Sequence, residues 1–292
     1  SIMLVIMADQ LGLSVGDLFM GAVFPGVILG ALYIIYVLTY SYMRPKVAPL
    51  KEDLKSLSLG MVIDVFKTIL PTTVLILAVL GSIFAGITTP TEASGVGAFG
   101  AMVLAFSNKK LNFTAIKEVV YGTFNTTAYI FGIFIGATAF ALVLRGLGGD
   151  EFIEALLGQL PFGPYGTIGI ILLTVFFLGF FLDWIEITLI ILPLLAPVIS
   201  SLNINVNGYG AVTNPELVWF SVLVAVGLQT SFLTPPVGFA IFYLRGVAPP
   251  EVKLIDIYKG VVPFVILQLI GLAAVLIWPE LVTWLPAMAY NR

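Results

Sequence analysis

Several stretches of this sequence are apolar for longer than a soluble fold can bury, and they constrain the chain more than any other feature. Five of them are long enough to cross the roughly 30 Å of hydrocarbon in a bilayer. They lie at about 19–41, 69–87, 121–144, 217–244 and 260–279, and a shorter one lies at 93–107. Because 60% of the 292 residues are apolar and only 10% are charged, we predict an all-α, polytopic membrane protein.

Missing residue types narrow the function classes. The chain contains no cysteine and no histidine, so it offers neither thiolate chemistry nor the commonest general base and metal ligand. An intramembrane protease would need two membrane aspartates, or a serine with a histidine. A passive channel would need polar groups along a continuous path, whereas here they gather at one depth. We therefore expect a membrane protein that is not an enzyme and that uses no cofactor and no nucleic acid.

Basic residues indicate how the chain is oriented, because cytoplasmic loops collect Lys and Arg. Three loops on one side of the predicted spans hold eleven of the thirteen basic residues. These are Arg44, Lys46, Lys51, Lys55, Lys67, Lys109, Lys110, Lys117, Arg245, Lys253 and Lys259. Loops on the other side hold Asp9, Asp17, Asp150, Glu151 and Glu154. The first side is predicted to be cytoplasmic, and the C-terminus falls on the second.

Two carboxylates interrupt the apolar segment from Pro164 to Ser201. In GFFLDWIEITLIILPLL, Asp183 and Glu186 leave arms of about 16 and 13 residues, which is cramped for two crossings. A re-entrant hairpin with its tip at these carboxylates fits better, since such backbone is tolerated where protein or water surrounds it. Charges at membrane depth usually mark a pathway or a partner, so both, with Thr188, are candidate ion- or substrate-binding residues. Alternatively, they form a capping box on the second arm.

A second polar break lies in ELVWFSVLVAVGLQTSFLTPPVGFAIFYLRG. Two adjacent prolines lack amide hydrogens and clash with a continuing helix, so the helix is predicted to unwind and to restart after them. A proline kink, with Ser and Thr hydroxyls bonding back to the backbone, is the alternative. The prolines and the polar residues just before them are further candidates for the substrate and ion site. They are Gln229, Thr230, Ser231, Thr234, Pro235 and Pro236.

Polar residues near the ends of two spans can be explained without a role in binding. In TTPTEA, Thr89 as cap, Pro90 as first residue and Glu92 at the third position predict a capping box at the start of a helix. Arg145 lies near the end of its span, where pairing with Asp150 or the hairpin and snorkelling to the interface are alternatives.

The beginning and the end of the sequence resemble each other. DLFMGAVFP near the start corresponds to DIYKGVVP near the end, each between two apolar runs. With a one-residue gap, the matched positions are Asp17, Gly21 and Pro25 against Asp256, Gly260 and Pro263. The charge rule puts the two loops on opposite faces, so the copies are predicted to be inverted. Inverted repeats with broken helices are typical of secondary transporters.

Three segments in order carry a resemblance to a known family. GITTPTEASGVGAFGAMVLAF, FLDWIEITLIILPLLAPVI and LQTSFLTPPVGFAIFYLRGVAP resemble the large membrane subunit of tripartite ATP-independent periplasmic (TRAP) transporters. SIMLVIMADQLGLSVGDLFMGAVFPG resembles the end of that subunit's first half, and it lacks an initiator Met and a basic leader. We therefore expect the chain to be the C-terminal portion of a longer protein, which would not transport unless the first half is supplied.

The resemblance implies an elevator-type, sodium-coupled symporter of organic acids in a bacterial inner membrane, with the C-terminus in the periplasm. It also implies two partners: a small membrane subunit and a periplasmic substrate-binding protein that delivers the carboxylate. A stand-alone ion-coupled carboxylate carrier is the alternative. We expect the helix ends at the two breaks to serve the cation and the carboxylate. Neutral oxygens suited to Na⁺ come from Thr230, Ser231 and Thr234.

These predictions divide the chain into four parts. Residues 1–41 are the end of the first repeat, and 42–118 hold a cytoplasmic amphipathic arm, Lys51 to Lys67, with scaffold helices. Residues 119–246 form a transport-type region with the hairpin at 164–201 and the broken helix at 217–244, and 247–292 hold the C-terminal helix.

Overall fold

The chain is helical throughout its regular structure in the computed structural model, which describes residues 2–45, 59–234, 238–249 and 251–290. In chain order the helices are α1 (Ile2–Leu11), α2 (Val15–Gly21), α3 (Val23–Met43), α4 (Leu59–Phe84), α5 (Pro90–Ser107), α6 (Phe113–Gly146), α7 (Gly149–Gly158), α8 (Gly163–Leu178), α9 (Trp184–Glu186), a π-helical segment (Ile187–Ile191), α10 (Leu192–Ser201), α11 (Pro215–Leu233), α12 (Phe239–Val247), α13 (Leu254–Ile277) and α14 (Glu280–Tyr290).

Among the described residues, six helical segments are long and apolar enough to cross a membrane. They are Val15–Met43, Ile63–Phe84, Phe113–Gly146, Trp184–Ser201, Pro215–Leu233 and Leu254–Ile277. Each of the five predicted runs overlaps one of them, and the sixth is the second arm of the predicted hairpin. The prediction of an all-α protein with several membrane-spanning helices is therefore confirmed.

The helices form two compact units, of which the smaller comprises residues 35–128. In it α4 packs against α5, where Gly97 and Gly100 leave room for the side chains of Val79 and Leu75. The predicted capping box at the start of α5 is present. The Thr89 hydroxyl accepts from the amide of Glu92 at 3.3 Å, and the Glu92 carboxylate accepts from the Thr89 amide at 2.8 Å.

Glu92 therefore has a structural role at the start of α5. Hydrogen bonds from the Thr89 backbone and hydroxyl hold the pKa of this exposed carboxyl below its ordinary value. The predicted amphipathic arm from Lys51 falls mainly on residues outside the described ranges. Its last residues, from Leu59 to Lys67, are the first turns of α4.

The larger unit comprises residues 1–34 and 129–292 and is built around α11. This helix is apolar on every side, and an all-round apolar helix occupies the interior of a bundle. Its residues Trp219, Phe220 and Leu223 are completely buried. It packs against α13, α8, α2 and α10. The Trp219 indole N–H donates to the carbonyl of Val275 at 2.8 Å, which satisfies a buried donor and ties α11 to α13.

Both predicted breaks are present in this unit. The hairpin segment is helical as α8 up to Leu178, and it becomes helical again only at Trp184. The helix α11 ends at Leu233, and α12 begins at Phe239 after Gly238, whose φ of 45° lies in the left-handed region. The helix is thus interrupted rather than kinked, because the break separates two helices. Pro235 and Pro236 themselves lie outside the described residues.

Arg145 is the residue for which pairing and snorkelling were alternatives. Of the alternatives weighed for Arg145, the structure shows the ion pair with Asp150, at 3.0 Å.

Asp17 is the third residue of α2, and Asp256 is the third residue of α13. A carboxylate in this first turn interacts favourably with the free backbone amides of the helix. The two aspartates thus hold the same position in their helices, but Asp17 is buried and Asp256 is exposed. That the two segments are inverted copies of one repeat stays a prediction.

Candidate functional site

The tip of the hairpin packs directly on the end of α11. The Ser231 hydroxyl donates to the carbonyl of Phe176 at 3.1 Å, across 55 residues of sequence. Gly179, which caps α8, makes this approach possible: a Cβ there would lie 2.5 Å from Oγ and 2.6 Å from Cβ of Ser231. The C-terminal ends of α8 and α11 therefore meet. Both ends present carbonyl oxygens and the negative end of a helix dipole.

Replacing Gly179 with alanine should therefore destabilise the protein. The added methyl group must displace Ser231, and overpacking of this kind costs typically 1–3 kcal/mol. A lower melting temperature of the purified protein would show it. Gly169→Ala on the same helix is the matched control, because nothing lies within 4 Å of a Cβ there. Adding Ser231→Gly should recover part of the loss, and equal melting temperatures for both alanine variants would contradict the proposed contact.

Asp183 starts the second arm of the hairpin. Its Oδ1 accepts from the amide of Trp184 at 2.7 Å, so Asp183 caps this arm, but the reciprocal bonds with Glu186 that the predicted capping box requires are not among the described contacts. Glu186 follows within the first turn. Its Oε2 is buried and has no hydrogen-bond partner among the described residues. Asp183 and Tyr129 line the same cavity, whereas Glu186 is not among its described lining residues.

A cavity of about 880 Å³ opens beside Asp183. Its walls come from α3, α6, the hairpin tip, α11, α12 and α13, all in the larger unit. The lining residues are Gly26, Leu29, Gly30, Tyr33, Tyr129, Asp183, Trp184, Gln229, Phe232, Leu233, Ala240, Tyr243, Phe264 and Gln268. Asp183 is the one charged residue in this lining, as far as the described ranges go. A largely apolar cavity with a few convergent polar groups is the usual form of a small-molecule site.

Two glycines of α3 keep this cavity open. Gly26 and Gly30 are one helical turn apart and both line it, so they lie on the same face of α3. A Cβ at either position would contact nothing within 4 Å. The room therefore exists because these positions carry no side chain.

The predicted site residues fall into three groups. Asp183 and Gln229 line the cavity, and Ser231 joins α11 to α8. The hydroxyls of Thr188, Thr230 and Thr234 donate to carbonyls of their own helical segments and do not appear in the described cavity lining. Thr188 and Thr230 are fully buried.

Sequence reasoning missed the far wall of the cavity. Tyr33 on α3 and Gln268 on α13 both line the cavity. Gln268 is a lone amide in the apolar run VVPFVILQLIGLAAVLIW. An isolated polar residue at membrane depth is itself a signal of a functional site. No comparable signal marks Tyr33, because tyrosines are common at membrane interfaces.

These features define a class of protein. Six of the described helical segments are apolar and of membrane-spanning length, and a cavity lies where the hairpin and the α11/α12 helix are both interrupted. Such an arrangement is typical of secondary transporters. Comparison with known proteins gives the family. The family model described as "Tripartite ATP-independent periplasmic transporter, DctM component" matches residues 1–281, and the chain belongs to this family.

Characterised relatives include three large permease proteins of TRAP transporters. The chain is 27% identical to SiaM, of the sialic acid transporter of Vibrio cholerae, over 99% of its own length and 64% of the relative. It is 24% identical to YiaN, of the 2,3-diketo-L-gulonate transporter of Escherichia coli, over 97% and 62%. It is 25% identical to TeaC, of the ectoine transporter of Halomonas elongata, over 96% and 62%. The chain thus spans less than two thirds of these relatives.

Proposed function

We propose that this chain is part of the large permease subunit of a sodium-coupled symporter that imports small organic acids across a bacterial inner membrane. The observation that carries the proposal is the cavity where the hairpin tip meets the interrupted helix α11/α12. Family membership supports two partners, a small membrane subunit and a periplasmic binding protein that delivers the acid. Relatives named for sialic acid, 2,3-diketo-L-gulonate and ectoine support a class of small organic solutes, with no single member singled out.

The junction of α8 and α11 is the proposed sodium site. Two helix C-termini converge there, and their carbonyl oxygens are the hard ligands that a small cation takes in discontinuous transporter helices. Thr230, Ser231 and Thr234 add hydroxyl oxygens in the last turn of α11 and just after it. Each hydroxyl donates its hydrogen to a backbone carbonyl, so its lone pairs are left for a cation.

Asp183 gives a physical reason for coupling. A carboxylate in the cavity wall repels an organic anion, and this repulsion is strong where little water screens it. A cation bound at the tip offsets the charge of Asp183, so the anion binds well only after sodium. The N-terminal end of α12 lies near Ala240, which also lines the cavity. Its free backbone amides attract the carboxylate of the solute. Such ordered binding is what couples the solute to the sodium gradient.

The test of this function is uptake into liposomes by the complete transporter that contains this chain. Uptake is expected to require both an inward sodium gradient and the added periplasmic binding protein. A stand-alone carrier would transport the acid without the binding protein, and uptake that ignores the sodium gradient would contradict the coupling.

We further propose an elevator mechanism that carries the cavity across the membrane, with a re-entrant hairpin and the C-terminus in the periplasm. Because the chain has no cysteine, single cysteines can be labelled without background. With an impermeant thiol reagent, Asn203→Cys should react from outside and Lys110→Cys from inside; both positions are exposed. In a transporter locked in the outward-facing state, a cysteine in place of Phe181, which is 75% exposed at the tip, should also react only from outside. Reaction of the tip from the cytoplasm alone would indicate two full crossings instead.

A further inference from the structure

Gln268 is a buried polar residue in a wall of the cavity. It is 3% exposed, lines the cavity from α13 and lies between apolar neighbours on that helix. Its Oε1 has no hydrogen-bond partner among the described residues. Buried side-chain oxygens are nearly always hydrogen-bonded, because an unpaired one loses its bonds to water without replacement. A buried acceptor left free at a cavity wall is therefore placed for a partner that arrives in the cavity.

Packing holds Gln268 in a fixed position. Leu29 of α3 fits against Gly271 of α13, where a Cβ would lie only 2.5 Å from Leu29 Cδ2. Tyr33 stacks edge-on against Phe264, with ring centroids 5.4 Å apart. These contacts lie within one turn of Gln268 on either side. Tyr33 and Gln268 both line the cavity, and the Phe264 ring that contacts Tyr33 lies one turn from Gln268, so the hydroxyl and the amide belong to one polar patch in an otherwise apolar part of the wall.

The chemistry of this patch selects its partner. The free Oε1 is an acceptor, so it requires a donor, and a carboxylate offers only acceptors. A hydroxyl group both donates to Oε1 and accepts from the Tyr33 hydroxyl. We propose that Gln268 and Tyr33 form a subsite that recognises a hydroxyl group of the transported solute, which makes the solute a hydroxylated organic acid. This inference rests on the proposed function of the cavity.

Matched acids that differ by one hydroxyl test the subsite. The probes are lactate against propionate and malate against succinate, bound in sodium to the purified complete transporter and measured by calorimetry. Sites that hydrogen-bond a substrate hydroxyl reject the analogue lacking it, so we expect a hydroxy acid to bind roughly tenfold or more tightly than its partner. Gln268→Met keeps the length of the side chain and removes the acceptor, and it should bring the affinity ratio close to one.

Stability measurements separate recognition from a merely structural role. Removing an unpaired buried acceptor leaves nothing unsatisfied, so the melting temperature of Gln268→Met should stay the same or rise. Tyr33→Phe is the second variant and should lower the same affinity ratio. Gln159→Leu, at an exposed amide outside the cavity, should leave it unchanged.

Each other outcome overturns the inference. A ratio near one in the parent, or a ratio that survives both substitutions, contradicts the subsite and leaves the proposed function standing. A lower melting temperature of Gln268→Met with an unchanged ratio assigns the amide to packing. If none of the four acids binds the parent transporter, the subsite is contradicted, while the proposed function is decided separately by the test for uptake that depends on sodium and on the binding protein.

Discussion

Replacing Gly30 with phenylalanine is expected to abolish uptake by the complete transporter while leaving the protein folded. Gly30 lines the cavity and has open space where a side chain would project. An aromatic ring at this position therefore occupies the volume that the solute needs, without a clash in the protein. The helix itself should not suffer, because glycine is among the weakest helix formers. Uptake into liposomes and the melting temperature of the same preparation are the two measurements.

Gly132→Phe is the control for Gly30→Phe. Gly132 is also a helical glycine with nothing within 4 Å of a Cβ, but it does not line the cavity. The control should retain uptake, since it adds the same ring elsewhere. Unimpaired uptake by Gly30→Phe would show that the solute does not pass through this cavity.

Replacing Asp183 with asparagine should have the second large effect, on sodium dependence. Asparagine still caps the second arm through an acceptor oxygen to the Trp184 amide, but it carries no charge. If sodium offsets the Asp183 carboxylate, the loss of this charge weakens sodium binding. A loss of about 1.4 kcal/mol corresponds to a tenfold rise in the sodium concentration for half-maximal uptake. Uptake measured against sodium concentration gives this value.

Two further variants separate charge from capping. Asp9→Asn removes an exposed carboxylate outside the cavity lining and should leave the sodium curve unchanged. Asp183→Ala loses charge and cap together, so it should also lower the melting temperature, by the ~1 kcal/mol that a helix cap contributes. An unshifted sodium curve in Asp183→Asn would reduce Asp183 to a structural cap.

Local rules were enough to predict the long apolar helices and the two interruptions. A bilayer requires apolar segments of a set length, so the spans are readable from runs of residues alone. The capping box of Thr89 and Glu92 and the break after Leu233 follow from interactions within a few residues. The same holds for the interruption at Asp183, where an acidic residue and a new helix start coincide.

Long-range packing produced what could not be predicted. The contact of Ser231 with Phe176 and Gly179 joins elements that no local pattern relates. The cavity depends on the position of α3 and α13 relative to the hairpin tip, so the role of Gly30 was invisible in its own segment, whereas Gln268 is marked there as a lone polar residue. The bonds of the α11 hydroxyls to carbonyls one turn earlier are local, and the kink alternative had predicted them.

A density map of the complete transporter with sodium and its organic acid bound would test most directly whether the acid binds in the cavity and sodium at the junction of α8 and α11. We predict density for the acid inside the cavity, between Gly30, Asp183 and Gln268. We also predict a separate cation peak where the C-terminal ends of α8 and α11 meet. Density for the acid outside this cavity, or a cavity filled by side chains of the complete protein, would contradict the account.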